Sequence, residues 1–367
     1  MRRSTKLAAV LSAGILSVAL AACGSSDSEG SAAEDTTSPS AETSESTGAA
    51  TSDIKVGMAY DIGGRGDQSF NDMAASGLDQ AKSEFGIETQ ESEASDGEDD
   101  AAKVERLTQL AEAGYNPIIA VGFAYDAAVA EVAPQYADID FAIIDDVPAD
   151  ADGNPIDNVT SLVFAEEQGS FLVGAAAALK SESGHIGFVG GVNTPLIQKF
   201  QAGYEAGAEA VNPDITVDVQ YLTEPPDYTG FSDPSKGKTA AEGMYDDGAD
   251  VVYHAAGGSG SGVFEAAAAA GAYAIGVDAD QYLTADASVQ PYILTSMQKR
   301  VDVAVYDFIK SVVDGSPKTG TVTYDLAAGG VGYATSGGLV DDIATQLDDY
   351  KQQIIDGTIE VPTTPES

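Results

Sequence analysis

Cysteine occurs once in this chain, tryptophan not at all and histidine twice, and 17 Lys and Arg stand against 59 Asp and Glu. A single cysteine excludes an intramolecular disulfide and any cluster of thiolate ligands. The histidines, His185 and His254, lie far apart in strand-like runs. They supply neither a Ser-His pair nor a metal set and read as structural. So few cations in a chain of formal net charge −42 leave no basic patch for nucleic acid. The same field disfavours polyanionic ligands such as nucleotides, although salt screens it beyond about 10 Å. Solubility at a cell surface or adaptation to salt accounts for the charge.

The one long uncharged apolar run, residues 7–22, is 16 residues, short of the roughly 20 that a membrane span needs. Arg2, Arg3 and Lys6 precede it, which is the layout of a secretory signal. Its end, Leu20-Ala21-Ala22-Cys23, matches a bacterial lipobox, in which cleavage leaves the cysteine as an acylated N-terminus. Residues 24–53 are rich in Ser, Thr, Ala and Gly, with seven acids, no base and no aromatic. Such a segment cannot bury enough apolar surface to order itself and reads as a tether.

From Ile54 onward, short apolar runs recur at 54–60, 117–122, 139–145, 159–164, 185–191, 215–222, 250–258 and 272–278. Ala-rich segments with helical spacing lie between most of them. Val104, Leu107, Leu110 and Ala111 follow the i, i+3, i+4 rule, with Gly114 at the stop, and residues 71–85 place Leu78, Ala81 and Phe85 on one side. Runs buried on both faces and separated by helices predict parallel sheets in βαβ units. The alternation covers roughly 300 residues, more than one doubly wound sheet usually holds. It predicts two α/β lobes with a break near Phe164; a (β/α)₈ barrel is the alternative. Late runs at 292–297 and 321–326 read as strands that could cross between lobes.

Several catalytic motifs fail. "GKT" at 237–239 lacks the first P-loop glycine, whose place Ser232 takes, and "GGSGSG" at 257–262 satisfies Gly-x-Ser-x-Gly at neither serine. The paired acids Asp145-Asp146 and Asp278/Asp280 could serve acid/base work or a metal, or simply face a crevice as polar strand ends. What remains is a distribution: the loop "GGRGDQSFND" (63–72), Phe123, Asp145, Gly257-Gly258 and Asp278 all fall just past strand ends. In open α/β sheets those ends line the ligand crevice. A secreted, tethered, two-lobed chain without catalytic apparatus reads as a binding protein, not an enzyme.

The stretches "DQSFND" (67–72), "EEQGSFLVGAAAALK" (166–180), "FQAGYEAGAEAVNPDI" (200–215), "FSDPSKGK" (231–238), "HAAGGSGSGVFEAA" (254–267), "IGVDADQY" (275–282) and "LTSMQKRVDVAV" (294–305) together resemble the basic membrane lipoprotein (BMP) family of ABC-transporter substrate-binding proteins, whose studied members include purine-nucleoside binders. The resemblance implies a type I periplasmic-binding-protein fold, two doubly wound α/β lobes joined by three crossovers. It implies a nucleoside between the lobes, delivered to a permease by a lipid-anchored, extracytoplasmic monomer that needs no cofactor and no metal. Carried over by position, Asn71 and Asp145 would bond the base, with Phe70 and Phe231 as rings around it. Asp278 and Lys299 would hold the ribose hydroxyls, close to the Gly257-Gly258 backbone. Asp67, Ser69, Phe123 and Phe200 complete the expected ligand set, and Cys23 the lipidation site. The expected division is 1–22 signal, 23–53 acylated tether, 54–163 plus 292–320 first lobe, 164–291 plus 321–362 second lobe, and 363–367 tail. Alternatives are the same fold binding a sugar or other small metabolite, or an extracellular nucleosidase.

Overall fold

The computed structural model describes residues 53–95 and 97–366. The expected signal segment, Cys23 and all of the tether but residue 53 lie outside the described residues. The first lobe is built from β1 (Lys55–Ala59), α1 (Phe70–Phe85), β2 (Glu88–Ser92), α2 (Asp100–Glu112), β3 (Ile118–Ala120), α3 (Asp126–Val132), β4 (Phe141–Ile144) and β5 (Val159–Phe164). Helix α4 (Glu166–Lys180) leads into the second lobe. There β6 (His185–Val192), α5 (Pro195–Val211), β7 (Thr216–Thr223), α6 (Pro234–Asp246), β8 (Val251–Ala255), α7 (Gly260–Ala270), β9 (Tyr273–Asp278) and β10 (Ile293–Lys299) repeat the pattern. The chain then returns through α8 (Val301–Val313) to β11 (Gly320–Tyr324), and crosses again to β12 (Val331–Tyr333) and α9 (Ala344–Ile355).

The two sheets have six strands each, in the orders β2-β1-β3-β4-β5-β11 and β7-β6-β8-β9-β10-β12. Every pairing is parallel except β10 with β12. These are two doubly wound lobes, not a barrel, and the chain crosses between the sheets three times, after β5, β10 and β11. One expectation is corrected here. Residues 293–299 belong to the second sheet and 320–324 to the first, the reverse of the division that gave 292–320 to the first lobe and 321–362 to the second. Both runs are apolar strands, and pairing with β9 or with β5 decides the sheet, not local pattern. Helix α8 does pack on the first lobe, where Val301, Ala304, Val305 and Phe308 join Ala74, Leu78 and Ala81 of α1.

Local chemistry explains the helix limits. Helix α1 stops at Gly86, whose φ of 65° needs no Cβ and whose N–H reaches the Lys82 carbonyl. The Asp99 carboxylate accepts from the Ala102 N–H at 3.1 Å to cap α2, and Asp233 does the same for Lys236 at 3.0 Å ahead of Pro234 in α6. Helices α4 and α5 touch backbone to backbone. A Cβ on Gly174, Gly203 or Gly207 would run into the carbonyls of Tyr204, Glu167 and Phe171. That close approach holds the start of α4 beside Lys199 and Phe200 of α5, which places site residues.

Candidate functional site

The carboxyl ends of the strands in both sheets carry the polar residues, as the crevice rule requires. Between them lies a cleft with about 560 Å³ of atom-free space, its mouth included. Asp67, Phe70, Asn71, Phe123, Asp145, Phe200, Phe231, Gly257, Asp278 and Lys299 line it, ten of the twelve expected ligand residues. Ser69 sits one layer behind, fully buried. Gly258 is also outside the lining; a Cβ there would lie 3.8 Å from that of Asp67. Asp61, Ile62, Leu196, Ile197, Ala255 and Val277 complete the wall. Sequence reasoning passed over these six, although Asp61 follows β1 and was open to the strand-end rule.

The loop after β1 is held by its own side chains. Asp67 accepts from the backbone N–H groups of Ser69, Asn71 and Asp72 at 2.9, 2.9 and 3.1 Å, and from Asn71 Nδ2 at 3.0 Å. Those four bonds fill a carboxylate's lone-pair positions. Asn71 Nδ2 also reaches the Ile62 carbonyl at 3.3 Å, while its Oδ1 accepts from the Asp61 N–H at 3.1 Å. The Asn71 amide therefore faces the cleft with acceptor capacity and no spare donor. Asp72 braces the loop by accepting from Gly66 and Gln68 N–H at 2.8 and 3.0 Å.

Across the cleft, Lys299 at the end of β10 is 1% exposed. Its Nζ lies 2.6 Å from Asp145 Oδ2 and 3.1 Å from Glu166 Oε1. The rings of Phe164, Phe70 and Phe200 surround it, with centroids at 5.0, 5.2 and 5.5 Å. Lys199 closes the chain of charges at 3.3 Å from Glu166 Oε2. Burial opposes the charge on Lys299, but Asp145, Glu166 and Asp278 outweigh it and raise its pKa, so the ammonium is retained. Burial raises Asp145 to about 7 against the pull of Lys299, and raises Asp278 to about 6. Asp145 Oδ1 is buried, lies on a cleft-lining residue and has no hydrogen-bond partner. Glu166, the first residue of α4, went unnoticed in the sequence, though it too follows a strand end.

Rings form the remaining wall. Phe123 of the first lobe meets Tyr228 and Phe231 of the second edge-on, with centroids 5.8 and 6.4 Å apart. Both histidines take structural places. His254 is wholly buried against Phe264, and burial lowers its pKa to about 3. His185 Nε2 lies 2.7 Å from Asp218 Oδ2, joining β6 to β7. Among the described residues, no group of three His, Cys, Asp or Glu is placed to hold a metal ion, and no helix is long and apolar enough to cross a membrane.

Two doubly wound lobes facing each other over a cleft of rings and buried acceptors define a protein that encloses a small molecule. Residues 54–365 match the family model described as ABC transporter substrate-binding protein, PnrA-like (Bmp), and the chain belongs to that family. Among its relatives is the ABC transporter nucleoside-binding protein BmpA of Lactococcus lactis, 34% identical over 85% of this chain and 90% of that one. An uncharacterized lipoprotein of Pyrococcus abyssi is 38% identical over 76% of this chain and 69% of its own length. A crystal structure of an ABC-transporter solute-binding protein from Aeropyrum pernix superposes with a TM-score of 0.73 at 31% identity, covering 85% of this chain and 94% of that one. The protein is thus an ABC-transporter substrate-binding protein with the type I periplasmic-binding fold.

Proposed function

We propose that the protein captures a nucleoside, a purine nucleoside first among them, and delivers it to a membrane permease while anchored through an acylated Cys23. The observation that carries the ligand reading is the Asp145 Oδ1, a buried acceptor left without a partner among aromatic walls. A purine N–H fits it. A buried acceptor that stays unpaired costs about 1–3 kcal/mol, so a ligand supplying the donor gains that much. Phe70, Phe123, Phe200 and Phe231 offer apolar faces and edges to a planar base, and Asn71 Oδ1 a second acceptor at its rim. Asp278 takes a ribose hydroxyl. Lys299 donates one N–H to Asp145 Oδ2 and lies beside Glu166 as an ion partner, which leaves it N–H groups to give. Acceptors outnumber donors, which suits a neutral ligand rich in N–H and O–H and penalises an anionic one. The name of the Lactococcus relative supports the nucleoside, and that of the Pyrococcus relative the lipid anchor.

Titration calorimetry with inosine, guanosine, adenosine and free ribose tests this. Purine nucleosides are expected to bind at least tenfold more tightly than ribose. Binding by none of them removes the ligand assignment, and free base appearing during the titration makes the protein a nucleosidase instead. Asp278→Ala is expected to weaken nucleoside binding at least tenfold, since a buried ribose donor then lacks its acceptor, at about 1–3 kcal/mol. Unchanged affinity would refute the ribose role.

A further inference from the structure

Two side-chain hydrogen bonds join the loop before α1 to the end of β9 and the segment that follows it, across the cleft between lobes. Ser69 Oγ donates to Asp278 Oδ2 at 2.5 Å, and Gln281 Nε2 donates to the Gln68 carbonyl at 3.0 Å. The partners are 209 and 213 residues apart in the chain. Three of the four are buried, Ser69, Gln281 and Asp278 at 0, 3 and 5% exposed, and Gln68, which contributes only its carbonyl, is exposed. Gln281 is itself fixed, its Oε1 accepting from the Val277 N–H at 2.8 Å and its own N–H donating to Ser296 Oγ at 3.2 Å. Gly276 is required beside it, since a Cβ there would come within 2.5 Å of that Oε1.

The backbone carries a matching signature. Among the described residues, only Gln68, Asp145 and Asp278 combine a side chain with positive φ, at 53°, 72° and 63°. Two of these three, Gln68 and Asp278, are among the four residues these bonds join, and the third is a cleft-lining acid. Left-handed backbone at a non-glycine residue is strained and persists where the surroundings hold it. At Asp278 the bond from Ser69 of the opposite lobe adds to that hold, and at Gln68 the bond from Gln281 to its carbonyl adds to the one that its N–H gives to Asp72 of its own loop.

We propose that Ser69 and Gln281 form an interlobe latch, in which they are positioning residues for Asp278. With Oδ2 bonded to Ser69, the Asp278 carboxylate presents Oδ1 to the cleft. The orientation that receives a ligand hydroxyl therefore exists only when the lobes are together. In the open protein both donors return to water and Asp278 is free to turn. Closure and ligand capture are coupled at a single carboxylate, and the latch acts on how long a ligand stays, not on how fast it arrives.

This rests on the proposed role of Asp278, so the test has one readout that needs no ligand. In the full chain with Cys23→Ser, spin labels at Ser83 and Glu242, exposed on α1 and α6, report the distance between lobes. Without ligand, Ser69→Ala and Gln281→Leu are each expected to shift the distribution toward longer separations. With inosine as probe, Ser69→Ala is expected to raise the dissociation rate about tenfold with the association rate changed less than threefold. An unchanged distance distribution for Ser69→Ala overturns the latch. So does a loss of affinity carried wholly by the association rate. If the unsubstituted protein binds no nucleoside, the proposed function fails, while the distances still decide the latch. Ser69→Ala keeps the backbone bond to Asp67 and decides the matter should Gln281→Leu misfold.

Discussion

Lys299→Met is expected to lower the unfolding free energy by about 3–5 kcal/mol and to weaken nucleoside binding about a hundredfold. The cation is 1% exposed and stands between Asp145 at 2.6 Å and Glu166 at 3.1 Å. Methionine keeps most of the volume and the contact with Phe70, Phe164 and Phe200, so packing is nearly conserved. What disappears is the charge, and Asp145 is left buried without an ion partner. Removing one member of a buried pair costs far more than removing both. Adding Asp145→Asn to Lys299→Met should therefore return at least half of the lost stability, because Glu166 keeps Lys199 at 3.3 Å. Urea unfolding of the three variants measures this directly. A double variant no more stable than Lys299→Met would mean that the ammonium acts through packing and not through charge. Affinity should not recover with stability in the double variant, since the carboxylate proposed to meet the base is then gone.

Particular residues show how much of this could be read without coordinates. Strands such as "PIIAVG" and "VTSLVF" are apolar on both faces because helices cover both sides of each sheet, and that pattern is local. Strand β2, "ETQES", has no apolar residue and exists because β1 offers it a free edge, register Lys55 to Glu88. Nothing in its own pattern says so. Strand β12 is three residues long and antiparallel, again a product of its neighbour. Strands β10 and β11 were legible as strands but not as to sheet, since equivalent apolar runs compete for two equivalent edges. In the site, residue types after strand ends point to the cleft, but their division of labour is a property of three dimensions. Asp67 and Asp145 look alike in sequence. Four internal hydrogen bonds make the first a brace, and one unpartnered oxygen makes the second an acceptor. The pairing of Lys299 with Glu166 joins the start of one crossover helix to the strand end before another, a relation that no local spacing encodes.

Between pH 5 and pH 8 the ligand-free protein is expected to lose stability as pH rises, by about 2–6 °C in Tm. Burial is the leading cause that raises Asp145 to about 7 and Asp278, Asp61 and Glu167 to about 6. Each of these folded-state values lies above the ordinary carboxyl range, so across the interval the native state binds more protons than the unfolded chain. Their contribution is full below about pH 4 and is lost as pH climbs through 6 and 7. Exposed acids that are lowered by their own hydrogen bonds, Asp150, Asp227, Asp286 and Asp342 among them, act with the opposite sign but only in the carboxyl range below this window. Repulsion within a chain of net charge −42 has the same sign as the buried acids. Salt separates the two, because it screens surface charges and leaves buried ones nearly untouched. The slope remaining in about 1 M salt is expected to fall in Asp145→Asn; a slope that salt abolishes would assign the whole effect to the surface. Nucleoside affinity should move the other way. If Asp145 receives a base N–H as a carboxylate, binding tightens as pH rises through about 7 and then levels, and Asp145→Asn flattens that dependence. Opposite slopes for stability and affinity, both reduced by one substitution, are what a buried acceptor kept in reserve for a ligand requires.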